Sequence, residues 1–199
     1  MKKISTKCNC SHVNPHYYGE QNNIRALRKI SVTRKSKWIK PREGFVMINV
    51  DASFNAENLS GGIGTVLRDD TGKFMVACNN PTSYAMDAYT LETKAVMRGI
   101  ELANEIGGSK IIIQSDCLQV IEVLQTGSFP STAAAAWFED IYVQASSFNA
   151  CEFSFCNREA NSVADLLSRE TDHDLLPHVW VDDPPTFLHS LLIDDVSVI

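Results

Sequence analysis

Phe45-Val46-Met47-Ile48-Asn49-Val50-Asp51 is the stretch on which the fold turns. Val46, Ile48 and Val50 alternate with Met47, Asn49 and Asp51, the period of a strand that shows one face to a core. Asp51 falls late in that strand, on the face opposite the three aliphatic residues. Residues 61–68 read as a second strand and 73–78 as a third. Asp69-Asp70-Thr71-Gly72 between them has the chemistry of a hairpin turn. Gly61, Gly62 and Gly64 enter a strand rather than a helix, so close packing or a bulge explains them better than a phosphate loop.

Outward from this meander the period changes. Residues 88–106 predict a long helix with Leu91, Ala95, Gly99, Leu102 and Ile106 on one stripe, stopped by Gly107-Gly108. Residues 110–115 hold three consecutive isoleucines, as in a strand buried on both faces. Helical spacing returns over 116–125 with Val120, Ile121 and Leu124. After Pro130 it returns again over 133–146, where Trp137, Ile141 and Ala145 align and place Trp137 in the core. Phe138, Trp38 and Trp180 stay unassigned between core packing and base stacking. A short strand over 151–155 and a helix over 162–169 complete the pattern. Three strands followed by alternating helices and strands predict an α/β fold, a five-stranded mixed sheet flanked by helices. The expected domains are a basic, largely irregular arm (1–44), the folded domain (45–170) and a tail (171–199) with Asp183-Pro184-Pro185 and a short apolar docking segment.

Length and composition fit one folded domain: 199 residues, 44% hydrophobic, 21% charged. No apolar run approaches the roughly 18 residues of a membrane span, and the N-terminus lacks the apolar core of a secretory signal. The net charge of −6 is unevenly distributed. Of 18 basic and 24 acidic side chains, eleven and two lie in residues 1–44 (+9), leaving seven against 22 in the rest (−15). Any contact with a polyanion is therefore expected to lean on the arm, unless the arm is a solvated leader or a transit segment. Six scattered cysteines suit a reducing compartment. The expected residence is intracellular, nuclear or cytoplasmic, with organellar import through the arm as the alternative. Cys8, Cys10, His12 and His16 have too tight a spacing for a zinc site and lack a second half. Cys117 beside Asp116 has no histidine placed nearby to make it a nucleophile.

Four carboxylates stand where carboxylates are costly. Asp51 is inside the first strand. Asp116 ends the isoleucine-rich strand, where open sheets place their ligands. Glu92 borders the apolar stripe of its helix, whereas Glu101, nine residues on, lies roughly half a revolution away on the solvent side. Asp165 sits between Val163-Ala164 and Leu166-Leu167. Singly, Asp116 can cap the following helix and Asp165 can pair with Arg169. Together, inward-pointing acids repel one another and lose hydration, a penalty that a divalent cation removes. Oxygen-only ligation suits Mg2+ or Mn2+, and two such ions about 3.5–4 Å apart can drive phosphodiester hydrolysis.

Asn49-Val50-Asp51-Ala52-Ser53, Gly61-Gly62-Ile63-Gly64-Thr65-Val66-Leu67-Arg68-Asp69, Glu92 with Ala95, Gly99 and Ala103, Gln114-Ser115-Asp116-Cys117, and Arg158-Glu159-Ala160-Asn161-Ser162-Val163-Ala164-Asp165 carry a joint resemblance. They resemble the ribonuclease H type 1 superfamily, and more closely its reverse-transcriptase-like domains of plant retrotransposon ancestry. Trp180, Pro184-Pro185 and Leu191-Leu192 resemble that family's tail. The resemblance implies a ribonuclease H-like fold and an endonuclease that cuts the RNA strand of RNA–DNA hybrids. Asp51, Glu92, Asp116 and Asp165 would be its catalytic and metal-holding residues, carrying two Mg2+ or Mn2+ ions. Asn49 and Ser53 would be strand contacts, and Asn161 would hold the last helix or touch substrate. A monomer with a nucleic-acid partner and no membrane is expected. Phe155 stands where the family has a histidine, Ala52 replaces a glycine and Leu91 a small residue. No basic insertion lies between 125 and 133. The alternative is a non-cutting module of transposon origin that binds nucleic acid or protein.

Overall fold

A computed structural model of the chain describes residues 37–129, 134–170 and 176–197. Most of the basic arm, with Cys8, Cys10, His12 and His16, lies outside the described residues, as does Pro130. The elements run β1 (Val46–Asn55), β2 (Ser60–Arg68), β3 (Phe74–Thr82), α1 (Ala88–Glu105), β4 (Lys110–Ser115), α2 (Leu118–Thr126), α3 (Ala135–Ala145), β5 (Ala150–Phe155), α4 (Ser162–Arg169), β6 (His178–Val181) and α5 (His189–Val196). One-turn 3-10 segments at Arg158–Asn161 and Thr186–Leu188 lead into α4 and α5.

The strands form one mixed sheet in the order β5-β4-β1-β2-β3-β6. The meander β1-β2-β3 is antiparallel, while β4 runs parallel to β1 and β5 parallel to β4. The sheet has six strands rather than the expected five. The sixth, β6, comes from the tail and pairs antiparallel with β3 through Val76–Asn79. At four residues, it is too short for an alternating pattern to stand out in the sequence. The turn over Asp69–Gly72 forms as expected. The Asp69 carboxylate accepts from the Thr71 and Lys73 amides, both at 2.9 Å, and Gly72 takes φ +89°.

Each face of the sheet has its own core. On one, Ile48, Val50, Leu67 and Val76 meet Leu91, Ala95, Ile100 and Leu102 of α1, with Leu124 of α2 and Phe138 and Ile141 of α3. On the other, Val66 and Ala77 meet Val163 and Leu167 of α4 and Leu188 before α5. Phe138, not Trp137, anchors α3. Ala134, Phe138, Ile141 and Ala145 form the inward stripe, which shares Ile141 and Ala145 with the one expected, and Trp137 is half-buried with the Lys94 ammonium 4.9 Å from its ring centre. Trp38, only 4% exposed, packs with Phe45, Met47 and Ile112, so the folded body includes chain that reads as arm.

The glycines of β2 record a close approach. A Cβ at Gly64 would collide with the Ala164 carbonyl and the Ser168 amide of α4, and one at Gly62 with the Ser168 carbonyl. Glycine at these positions lets α4 lie against the sheet backbone. The register shift between β2 and β3 falls at Leu67/Arg68 instead. Among the described residues, no helix is long and apolar enough to cross a membrane.

Candidate active site

Three of the four acids converge. Asn49 of β1 pairs with Gln114 of β4, so two residues further Asp51 and Asp116 come level on adjacent parallel lines, about 4.8 Å apart in the hydrogen-bonding direction. The Cys117 amide donates to Ser115 Oγ at 3.0 Å and fixes the turn that carries Asp116. Glu92 arrives from α1. That helix is started by Asp87, whose carboxylate accepts from the Thr90 amide at 2.6 Å. One carboxylate oxygen from each of Asp51, Glu92 and Asp116 lies within 4.8 Å of the others.

The electrostatics of this trio are unfavourable without a cation. Burial, then the negative charges of Asp116 and Asp165, holds the Asp51 carboxyl well above the ordinary carboxylate range. Burial, then Asp51 and Asp116, does the same to Glu92. Ser168 Oγ of α4 donates to Asp51 Oδ2 at 2.9 Å. Glu92 Oε2 is sealed from solvent with no hydrogen-bond partner among the described residues. A buried carboxylate oxygen with no donor, facing two more acids, is what a hard divalent cation would satisfy. The residues therefore fit Mg2+ or Mn2+. Burial, then the charges of Asp116 and Asp51, pushes the Cys156 thiol up to about 12.

Asp165 lies outside that oxygen cluster. It is near enough to raise Asp51, but its carboxylate is ion-paired with both Arg158 and Arg169. The pairing with Arg169 that helical spacing allows is thus present, and Arg158 joins it from two turns upstream. Cys117 stands at the N-cap of α2 and makes no side-chain cap of its own.

Asn49, Ser53 and Asn161 lie where β1 meets α4. Asn49 and Asn161 are 0% and 1% exposed, so neither presents a surface to a ligand. Asn161 Nδ2 donates to the Val50 carbonyl at 2.9 Å and thereby ties the start of α4 to β1. Ser53 is half-buried and its hydroxyl donates to the Ser168 carbonyl of α4. Phe155, 42% exposed, ends β5 opposite Ser115, one residue before Asp116. Of the described histidines, His178 belongs to β6 at the far edge of the sheet and His189 faces the Pro184 carbonyl. Sequence reasoning missed Ser168 and Arg158. Ser168 stands three residues after Asp165 and Arg158 seven before it, close to one and two helical turns, and that spacing is the signal that finds them.

The family model described as reverse transcriptase-like matches residues 49–171. No curated protein sequence matches the chain. Among solved structures, RNase H1 from Halobacterium salinarum superposes with a TM-score of 0.59 at 18% identity, covering 62% of this chain and 94% of that one. The N-terminal RNase H domain of a Mycobacterium tuberculosis protein gives 0.58 at 18% identity, covering 62% and 90%. LC11-RNase H1, solved in complex with an RNA/DNA hybrid, gives 0.57 at 18% identity, covering 62% and 93%. At such identities the likeness is one of fold.

Proposed function

The chain belongs to the reverse transcriptase-like family, and on that premise we propose that it is a metal-dependent endonuclease that hydrolyses the RNA strand of RNA–DNA hybrids. The observation that carries the reading is the convergence of Asp51, Glu92 and Asp116 from β1, α1 and the end of β4, with Glu92 Oε2 buried and without a hydrogen-bond partner among the described residues. Residues 45–170 form the catalytic domain in this reading, with 171–199 as its tail and 1–44 as a basic arm for the polyanion.

Asp51, Glu92 and Asp116 would hold Mg2+ or Mn2+, with Asp165 completing the site for a second ion. Such ions activate water as the nucleophile and stabilise charge on the leaving oxygen. Ser168 orients the Asp51 carboxylate, and Asn161 fixes the peptide before it. Asn49 and Asn161 serve as positioning residues, and Ser53 secures α4 against β1. Arg158 and Arg169 neutralise Asp165. Discrimination of a hybrid from a DNA duplex would rest partly on the 2′-hydroxyls of the RNA strand.

A second reading, a non-cutting module that binds nucleic acid or protein, draws on two observations. Phe155 cannot move a proton, and Asp165 is already paired with two arginines. Labelled hybrid, all-RNA duplex and all-DNA duplex of one sequence, incubated with the full chain in Mg2+ and then Mn2+, separate the two. Nuclease action predicts shortened RNA from the hybrid alone. Folded protein that retards the hybrid and leaves every strand intact in both metals would establish the binder instead.

A further inference from the structure

Arg68 closes β2 with a side chain 1% exposed, among the bulkiest fully buried side chains of the described residues. Its guanidinium lies 3.6 Å from the Trp38 ring centre. Nη1 donates to Asp195 Oδ2 of α5 at 2.7 Å, and Nη2 donates to Asn49 Oδ1 at 3.1 Å. Nε has no partner among the described residues. A buried ion pair adds little net stability, because desolvation offsets most of the attraction. What this one fixes is therefore more informative than what it stabilises.

Asn49 Oδ1 also accepts from Trp38 Nε1 at 2.9 Å. Both of its donors, an indole and a guanidinium, can only donate. The Asn49 amide nitrogen is thereby turned towards Asn161 Oδ1, 3.2 Å away, and Gln114 Oε1, 3.3 Å away. Asn161 then donates to the Val50 carbonyl, which can only accept. Obligate donors at one end and an obligate acceptor at the other set the direction of the whole relay. It begins at α5 and ends on the peptide that precedes Asp51. On the way it touches β4 two residues before Asp116 and the N-terminus of α4, which carries Asp165 and Ser168.

We propose that Arg68 and Asp195 are positioning residues for the acid cluster, holding β1, β4 and α4 in register through Asn49 and Asn161, so that the C-terminal helix is part of the site's support. This rests on the nuclease reading only in taking Asp51, Glu92 and Asp116 as ion ligands. The relay lies outside the carboxylate cluster, so its loss changes how well the acids are held rather than which acids are present.

The test is Mn2+ binding alone, by calorimetry on the full chain at 25 °C, where variants that fold are still folded. Asp195→Asn keeps the shape and removes the charge opposite Arg68. Arg68→Met with Asp195→Leu removes the relay but refills its volume with apolar groups, a replacement buried ion pairs often tolerate. It carries the test should Asp195→Asn not fold. Ile141→Val in α3 is the control for general loss of stability. The expected result is Mn2+ affinity about tenfold weaker in the relay variants, as for outer-sphere supports of metal sites, with Ile141→Val like the parent. Parent binding that both relay variants match would overturn the positioning role and leave the acid site standing. An equal loss in Ile141→Val would also overturn it, by tracing the effect to stability. A parent that binds no Mn2+ would overturn the acid site, and the relay's role with it.

Discussion

Asp51 and Glu92 place an electrostatic load on the ion-free protein. Both carboxyls titrate above their ordinary values of 3.8 and 4.5, chiefly through burial and then through neighbouring acids. The folded state therefore binds their protons more tightly than the unfolded chain. Their favourable contribution is complete below the ordinary carboxylate range and is lost as pH rises through the raised folded values. In chelator, the melting temperature is expected to fall as pH rises above the ordinary carboxylate range, and Mg2+ to narrow the gap. Asp51→Asn should flatten that dependence and raise the ion-free melting temperature by a few degrees, on the order of 1 kcal/mol. Scanning calorimetry checks this, and an ion-free Asp51→Asn that melts well below the parent would contradict it. Phe155 supplies a second prediction. It ends β5 opposite Ser115 and is partly exposed, so Phe155→His puts a titratable ring there. It is expected to raise turnover of hybrid about a hundredfold, the low end of the usual range for general acid–base help. Unchanged turnover would show that proton transfer at this position does not limit the rate. Asp51, Glu92 and Asp116 were legible because each interrupts an apolar pattern. The burial of Asn49 was not, since Arg68 and Asn161 lie 19 and 112 positions away.

Elements were legible in proportion to their length. The 18 residues of α1 carry five turns of apolar spacing, and its expected start at Ala88 is the observed one. The four residues of β6 carry no such signal, and only pairing with β3 makes them a strand. In α3 two adjacent aromatics, Trp137 and Phe138, both border the stripe of Ile141 and Ala145. The choice of Phe138 depends on α1 and Phe129, whose ring stacks 5.9 Å from it. The glycines of β2 were legible as a close approach, but not the partner, because α4 lies about a hundred residues downstream. Gly64→Ala tests that packing. Its Cβ would meet backbone of α4, which cannot yield as a flexible side chain would. Overpacking of this kind costs about 1–3 kcal/mol, and a urea midpoint should drop accordingly with Mn2+ affinity weakened too. An unchanged midpoint would mean that α4 rides further from β2.

At the scale of the whole molecule, the charge separation and the acid cluster have opposite consequences for a nucleic acid. Residues 45–199 hold seven basic against 22 acidic side chains, so a phosphate backbone is repelled except where a cation or the arm intervenes. Substituting Arg25, Arg28 and Lys29 with Gln in the full chain is expected to weaken hybrid binding and to flatten its salt dependence. The slope of log K against log salt should fall by roughly 0.9 for each phosphate that the arm no longer neutralises, as fluorescence anisotropy at 50–200 mM salt would show. An unchanged slope would mean that these three side chains do not meet the phosphates. The central claim concerns chemistry, and one comparison tests it most directly: the full chain and Asp116→Asn, each with an RNA–DNA hybrid labelled on the RNA strand, in Mg2+ and in Mn2+. The account predicts cleavage of the RNA by the parent and none by Asp116→Asn, which remains folded. Intact RNA with folded parent in both metals, or equal cutting by Asp116→Asn, would contradict it.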